Sequence, residues 1–110
     1  MKSRLLVKLD ILHDVMLEDR ADEVVETALD YLLSYERKKL EKELLLTEKQ
    51  VASFRGRFSM DDREFMRKYE SSALEDKPEF LEWFALLSLE SSLKQRFILV
   101  SKALELVSFV

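Results

Sequence analysis

Apolar residues recur along most of the chain at steps of three and four, the spacing that places side chains on one face of an α-helix. The pattern is interrupted where charged and polar residues cluster and where Gly56 and Pro78 stand. We therefore predict an all-α fold in a single domain over residues 1–110, with two long helices and shorter ones in a helical bundle or coiled-coil-like arrangement. The predicted helices cover residues 4–18, 22–55, 61–70 and 78–108.

The first segment, residues 4–18, allows two interpretations. Over residues 5–11 the apolar residues also come at every second position, which is the period of a half-buried strand. We expect the helix, and the strand stays open as the alternative. The residues that would share one face of this helix are Leu5, Leu9, Leu12 and Met16.

The second segment carries the longest apolar stripe, which meets no helix breaker before Gly56. Glycine lacks a Cβ and can adopt the left-handed conformation that ends many helices, so we expect Gly56 to close this one. A short third helix should begin behind Ser59 or Asp61, since each has an acidic residue three positions on, as in a capping box. The expected buried side of the third helix consists of Phe65, Met66 and Tyr69.

The fourth segment begins with Pro78, whose missing N–H is harmless in the first turn of a helix. Beyond it, apolar residues step by three and four in a seven-residue seam that is typical of coiled coils. One chain of this length offers little cover for so much apolar surface, so we expect the long helices to pair in a homodimer. The candidate interface residues are Leu29, Leu32, Leu40, Leu44, Val51, Phe54, Phe80, Trp83, Phe84, Leu93 and Phe97.

The composition favours helices and lacks the residues that most enzyme chemistries use. The 110 residues include one Gly, one Pro and no Cys, so phosphate-binding glycine loops and thiolate chemistry lack their usual residues. The single histidine, His13, belongs to no Glu-x-x-His motif. The acidic clusters at residues 61–64 and 75–82 suit helix caps and solvated faces. We expect no catalytic residue, no cofactor and no metal site.

The net charge of −4 is unevenly distributed. Residues 1–36 carry five more acidic than basic side chains, whereas residues 37–68 carry four more basic than acidic ones. Such blocks can pair between helices or between subunits. They also allow an alternative function, a DNA-binding regulator that uses the N-terminal region, with residues 3–10 as the strand of a ribbon-helix-helix, or the basic block 55–68. The candidate basic patch consists of Arg55, Arg57, Arg63, Arg67 and Lys68.

The chain shows no sign of a membrane or export segment. No stretch approaches the roughly 20 consecutive apolar residues of a membrane span. The start, MKSRLLVKLD, lacks the uninterrupted apolar core of a signal peptide. We therefore expect a cytoplasmic protein with no membrane partner.

Residues 54–83 read FRGRFSMDDREFMRKYESSALEDKPEFLEW. Here, and in the upstream VVETALDYLLSYERKKLEKEL, the chain resembles a group of small prokaryotic proteins regarded as antitoxins of toxin–antitoxin cassettes. Their pattern is an aromatic residue, three residues, Tyr or Phe, Gly-Met-Ser, a Phe, an acidic and glycine-rich link, and Phe-x-Glu-Trp. Ser59, Ser72 and Glu75 stand where the group tends to have Gly. The matching residues are Phe54, Phe58, Met60, Phe65, Tyr69, Leu74, Asp76, Phe80, Glu82 and Trp83.

The resemblance covers about two thirds of the chain. It implies an interaction protein whose partner is a small toxin, and it identifies no catalytic residue. The leading hypothesis is therefore a cytoplasmic, non-enzymatic, all-helical homodimer that binds another protein. The DNA-binding regulator remains the alternative, although the net negative charge opposes it.

Overall fold

Four α-helices make up most of the described part of the chain, residues 3–18 and 23–106 of a computed structural model. No strand occurs among these residues, so the predicted all-α class with two long helices is confirmed. The helices are α1 (Arg4–Glu18), α2 (Glu23–Phe58), α3 (Asp62–Glu70) and α4 (Pro78–Glu105).

The chain divides into two units. Unit 1 is Met1–Leu32 and contains α1 and the first turns of α2. Unit 2 is Leu33–Val110 and contains the rest of α2 together with α3 and α4. The single domain over residues 1–110 stays a prediction.

The N-terminal segment is helical, so the strand alternative for residues 4–18 is wrong. Ser3 Oγ accepts a hydrogen bond from the Leu6 N–H at 3.2 Å, which satisfies one of the free backbone donors of the first turn. A ribbon-helix-helix arrangement needs a strand at residues 3–10, and the structure places the start of α1 there instead.

The end of α2 differs from the prediction. Gly56 lies inside the helix without a positive φ, so the expectation that it closes α2 is wrong. The helix continues to Phe58, and Ser59 takes the left-handed conformation with a φ of 51°. Phe58 packs against the core of unit 2. Full burial of a phenylalanine side chain gains about 1.5–3 kcal/mol. The partial burial of Phe58 gains a share of this, which acts against the roughly 1–2 kcal/mol cost of a left-handed residue with a Cβ.

The start of α2 and the end of α4 lie closer to their predicted positions than the end of α2 does. The predicted first residue of α2, residue 22, lies outside the described residues, and α2 is described from Glu23. α4 ends at Glu105, where Leu106 already has an extended backbone. The last two residues of the predicted fourth helix, 107 and 108, lie outside the described residues.

The start of α3 follows one of the two predicted caps. Asp61 is the N-cap residue, and its Oδ1 accepts a hydrogen bond from the Glu64 N–H at 2.7 Å. The aspartate thereby satisfies a backbone donor and places negative charge at the positive end of the helix dipole. The predicted buried side is confirmed, with one buried and two partly buried residues: Phe65, Met66 and Tyr69.

The connection between α3 and α4 contains a second left-handed residue, Ser72, with a φ of 57°. It leads to Lys77, whose extended backbone suits the residue before a proline. Pro78 then occupies the first turn of α4, as predicted. The proline thus fixes where the last helix begins.

The core of the protein lies in unit 2, between α2, α3 and α4. Two polar residues are also buried there. Thr47 donates its hydroxyl to the Glu43 carbonyl oxygen at 2.8 Å, and Glu90 accepts a hydrogen bond from Lys94 Nζ at 3.4 Å. Unit 1 has no buried side chain among the residues described in it. The buried apolar residues are Leu40, Val51, Phe54, Phe65, Phe80, Trp83 and Leu93.

Substitution of Gly56 tests where α2 ends. A Cβ built on Gly56 meets no atom within 4 Å. Gly56→Ala should therefore raise the free energy of unfolding by about 0.5–1 kcal/mol, because alanine restricts the unfolded chain and favours the helix. The matched control Ala52→Gly, at an exposed position of the same helix, should lower it by a similar amount. Urea unfolding followed by circular dichroism measures both. If Gly56→Ala instead lowers the free energy of unfolding, Gly56 ends α2 after all.

Candidate functional site

An aromatic cluster joins the three helices of unit 2. Trp83 of α4 stacks on Phe65 of α3, with ring centroids 4.0 Å apart and an angle of 11° between the planes. Phe54 of α2 stacks on the same indole at 5.9 Å, also at 11°. Phe58, one turn after Phe54, meets Phe80 at 4.8 Å. Each helix therefore contributes at least one ring to a single packed group.

The cluster is a packing core and holds no reactive group. Trp83 is fully buried, and its Nε1–H has no acceptor among the residues that the structure describes. An unmade hydrogen bond of a buried donor costs about 1–3 kcal/mol. The burial of the indole and its stacking between two rings have to exceed that cost. The sequence resemblance placed Trp83 in a motif, and the structure places it at the centre of the core.

The eleven candidate interface residues fall into three groups. Leu32 is exposed. Leu29, Leu44, Phe84 and Phe97 are partly buried. The remaining six are buried within the chain itself: Leu40, Val51, Phe54, Phe80, Trp83 and Leu93. For these six, contact with a partner would require unit 2 to open.

The acidic residues around the start of α3 have structural partners. Asp61 caps α3, as described above. Asp62 forms an ion pair with Arg55, and Glu64 forms one with Lys68 at 3.2 Å. Within the described ranges, 3–18 and 23–106, no group of three or more His, Asp or Glu side chains could hold a metal ion.

The pair between Arg55 and Asp62 links the end of α2 to the start of α3. The guanidinium donates from Nε to Oδ1 at 3.0 Å and from Nη2 to Oδ2 at 2.6 Å, a bidentate arrangement. These hydrogen bonds raise the pKa of Arg55 above its usual value, and the negative charges of Asp62, Glu90 and Glu48 act in the same direction. The pair holds the short turn between the two helices.

The candidate basic patch is partly neutralised. Besides Arg55, two more of its five cations have acidic partners: Lys68 pairs with Glu64, and Arg57 lies 3.7 Å from Glu79. Arg63 and Arg67 are exposed on α3. The block therefore offers fewer unneutralised charges to phosphate than the sequence suggests.

Most of the exposed large apolar residues described in unit 1 lie on α1. Of the four residues predicted to share its covered face, Leu5 and Leu9 are exposed and Leu12 is partly buried, while the side chain of Met16 lies outside the described part. A second stripe at steps of four is also exposed, and Ile11 in it is 59% exposed. Together these exposed residues form the α1 surface: Leu5, Leu6, Val7, Leu9, Ile11 and Val15.

The sequence reasoning selected the stripe that builds the core and missed the exposed one. On α2, Leu44 is partly buried, while Leu45 and Leu46 point away from the core. A run of three leucines cannot lie on one face of a helix, because successive residues are about 100° apart. The run was therefore the available signal that apolar surface continues outside the core.

None of the described helices is long and apolar enough to cross a membrane. Comparisons of the chain with protein-family models, with curated proteins and with solved structures give no match. Its function has to be argued from its own residues.

Truncation of Trp83 tests the energetic role of the aromatic cluster. Trp83→Ala should lower the free energy of unfolding by about 3–5 kcal/mol. Trp83→Phe should lower it by much less, because a ring remains between Phe54 and Phe65 while the unpaired N–H is removed. Urea unfolding followed by circular dichroism compares them, with Leu81→Ala as an exposed control on α4. Equal losses in the two variants would contradict this account of the indole.

A double-mutant cycle tests the ion pairs of the basic patch. Arg55→Gln combined with Asp62→Asn should give a coupling energy of up to about 1 kcal/mol at low salt, which decreases in 1 M salt. The same cycle on Arg57 and Glu79 should give almost none, because their atoms are 3.7 Å apart and the Arg57 side chain is 61% exposed. Equal coupling in the two cycles would show that the bidentate geometry adds nothing.

Proposed function

We propose that the protein is a non-enzymatic helical module that binds another protein, as the antitoxin partner of a small toxin in a prokaryotic cytoplasm. The observation that carries this proposal is the α1 surface. Six large apolar side chains on one 15-residue helix are exposed. Contiguous exposed apolar residues of this kind mark sites where another protein binds.

The form of the α1 surface suits a partner that encloses a helix. Leu5 and Leu9 lie on one side of α1, and Val7 with Ile11 lies on another. A flat partner would cover only one of these sides. A groove covers both, and full burial of each such side chain gains about 1.5–3 kcal/mol. We therefore expect the partner to present an apolar groove into which α1 inserts.

Two backbone conformations support the antitoxin assignment. Ser59 and Ser72 are left-handed, with φ angles of 51° and 57°. Both stand at positions where the resembled antitoxin group tends to have glycine, the residue that adopts this conformation without strain. The conformation at these two positions is the one that glycine favours, whereas Glu75, the third such position, is not left-handed.

The charged residues support an interaction module over the two other functions considered. The acidic residues around α3 cap a helix or pair with cations, which leaves them no evident catalytic role. Three of the five cations in the basic patch have acidic partners, which weakens the basis for DNA binding. The α1 surface is therefore a better candidate binding site than the acidic residues around α3 or the basic patch.

Co-expression tests the proposal. The product of the adjacent open reading frame should co-purify with this protein, and its effect on growth should be neutralised. Ile11→Glu with Val15→Glu should weaken capture at least tenfold, because each glutamate would have to be buried in the groove. The matched control Leu81→Glu, at an exposed leucine of α4, should bind as the wild type does. Circular dichroism checks that both variants remain helical.

Two results would overturn the proposal. One is a neighbouring product that neither co-purifies nor is neutralised. The other is undiminished capture by the α1 variant when it is as helical as the wild type, since partner binding would then use other residues.

A further inference from the structure

The first turns of α2, in unit 1, carry an exposed surface with a negative rim. Val24 and Tyr31 are 76% and 73% exposed, and they line a shallow groove that begins at Glu23. Asp30 is exposed beside it. We name this the acidic surface, and it consists of Glu23, Val24, Thr27, Ala28, Asp30, Tyr31 and Leu32.

The part of α2 that belongs to unit 2 carries an exposed surface of the opposite charge. Leu45 and Leu46 are 59% and 61% exposed. Four exposed lysines and two exposed glutamates, Glu41 and Glu48, precede and follow them along the helix, so positive charge is in excess by two. These side chains recur at steps of three and four, so they project from neighbouring positions. We name this the basic surface, and it consists of Lys38, Lys39, Lys42, Leu45, Leu46 and Lys49.

The charged side chains of both surfaces form no ion pair within the described part of the chain. Ion pairs do occur among the described residues, 3–18 and 23–106. They lie chiefly around α3 and along α4 and involve no residue of the two surfaces. Glu23, Asp30 and the four lysines take part in none of them. Two surfaces with exposed apolar centres and unneutralised charges of opposite sign are therefore present on the same chain.

We propose that the acidic surface of one copy binds the basic surface of a second copy, and that the exchange is reciprocal. Val24, Tyr31 and Leu32 then cover Leu45 and Leu46 of the second copy. Glu23 and Asp30 meet lysines, which gives each charge a partner and opposes contact between two like surfaces. The product is a homodimer with two equivalent contacts.

A second copy fits these surfaces better than an unrelated protein. Both halves of the contact are on this chain, and their charges and apolar centres are complementary. A contact of six or seven residues is small, because stable interfaces bury about 1,200–2,000 Å² in total. Reciprocal use doubles the area and closes the assembly, as in two-fold dimers. The inference is independent of the proposed partner binding, since it uses none of the α1 surface.

Charge exchange between the surfaces tests the dimer. Light scattering during size-exclusion chromatography should give twice the 13.0 kDa chain mass for the wild type. Glu23→Lys with Asp30→Lys should abolish self-association, because both surfaces become basic. Lys38→Glu with Lys39→Glu and Lys42→Glu should abolish it because both become acidic. An equimolar mixture of the two variants should restore a dimer, since every contact again joins opposite charges. We expect at least a 100-fold difference in Kd between each variant alone and the mixture.

Control variants separate this result from a general effect of charge. Asp76→Lys with Glu82→Lys makes the same charge change at exposed positions elsewhere and should leave the dimer intact. The α1 variant Ile11→Glu with Val15→Glu should also remain dimeric, so loss of partner capture and loss of the dimer are distinguishable.

Three results would overturn the inference. They are a monomeric wild-type chain at micromolar concentration, a dimer that persists in each charge variant alone, and a mixture of variants that stays monomeric.

Discussion

The stacking of Trp83 between Phe54 and Phe65 is the interaction on which the structure of unit 2 depends. The three rings come from three different helices, and they are three of the seven buried apolar residues in the part of the chain that the structure describes. The group therefore supplies much of the tertiary contact in a chain with one glycine and one proline to direct its turns. The turn between α2 and α3 brings Phe65 to the indole. The left-handed Ser59 lies in this turn, and the Arg55–Asp62 pair spans it.

Much of the fold could be predicted from the sequence because helical periodicity and caps are local signals. Pro78 starts α4, and Asp61 caps α3, as their chemistry indicates. Gly56 misled the prediction because its backbone freedom permits a helix end without requiring one. Phe58 lies two residues further on, and its contact with the aromatic cluster could not be seen without α3 and α4 in place. The packing of Phe58 on the aromatic cluster thus outweighed the tendency of Gly56 to end the helix, and Ser59 takes the strained left-handed conformation instead.

The proposed binding surfaces were less accessible to sequence reasoning, again for a physical reason. Periodicity shows which residues share a helical face, but it does not show which face the rest of the chain covers. The stripe through Val51 and Phe54 is covered by the chain itself. Leu45 and Leu46 belong to another face and stay exposed. The sequence alone shows that one end of α2 is acidic and the other basic. Only the structure shows that exposed apolar residues lie beside both groups of charges.

The absence of buried side chains among the described residues of unit 1 bears on how long the protein survives in a cell. A helix of about 15 residues is marginal in water when it buries little of its surface, and α1 has that length. Proteases cut segments that open locally. If a partner encloses α1 as proposed, it would delay cleavage there, and the steady-state abundance of this chain would follow the supply of that proposed partner.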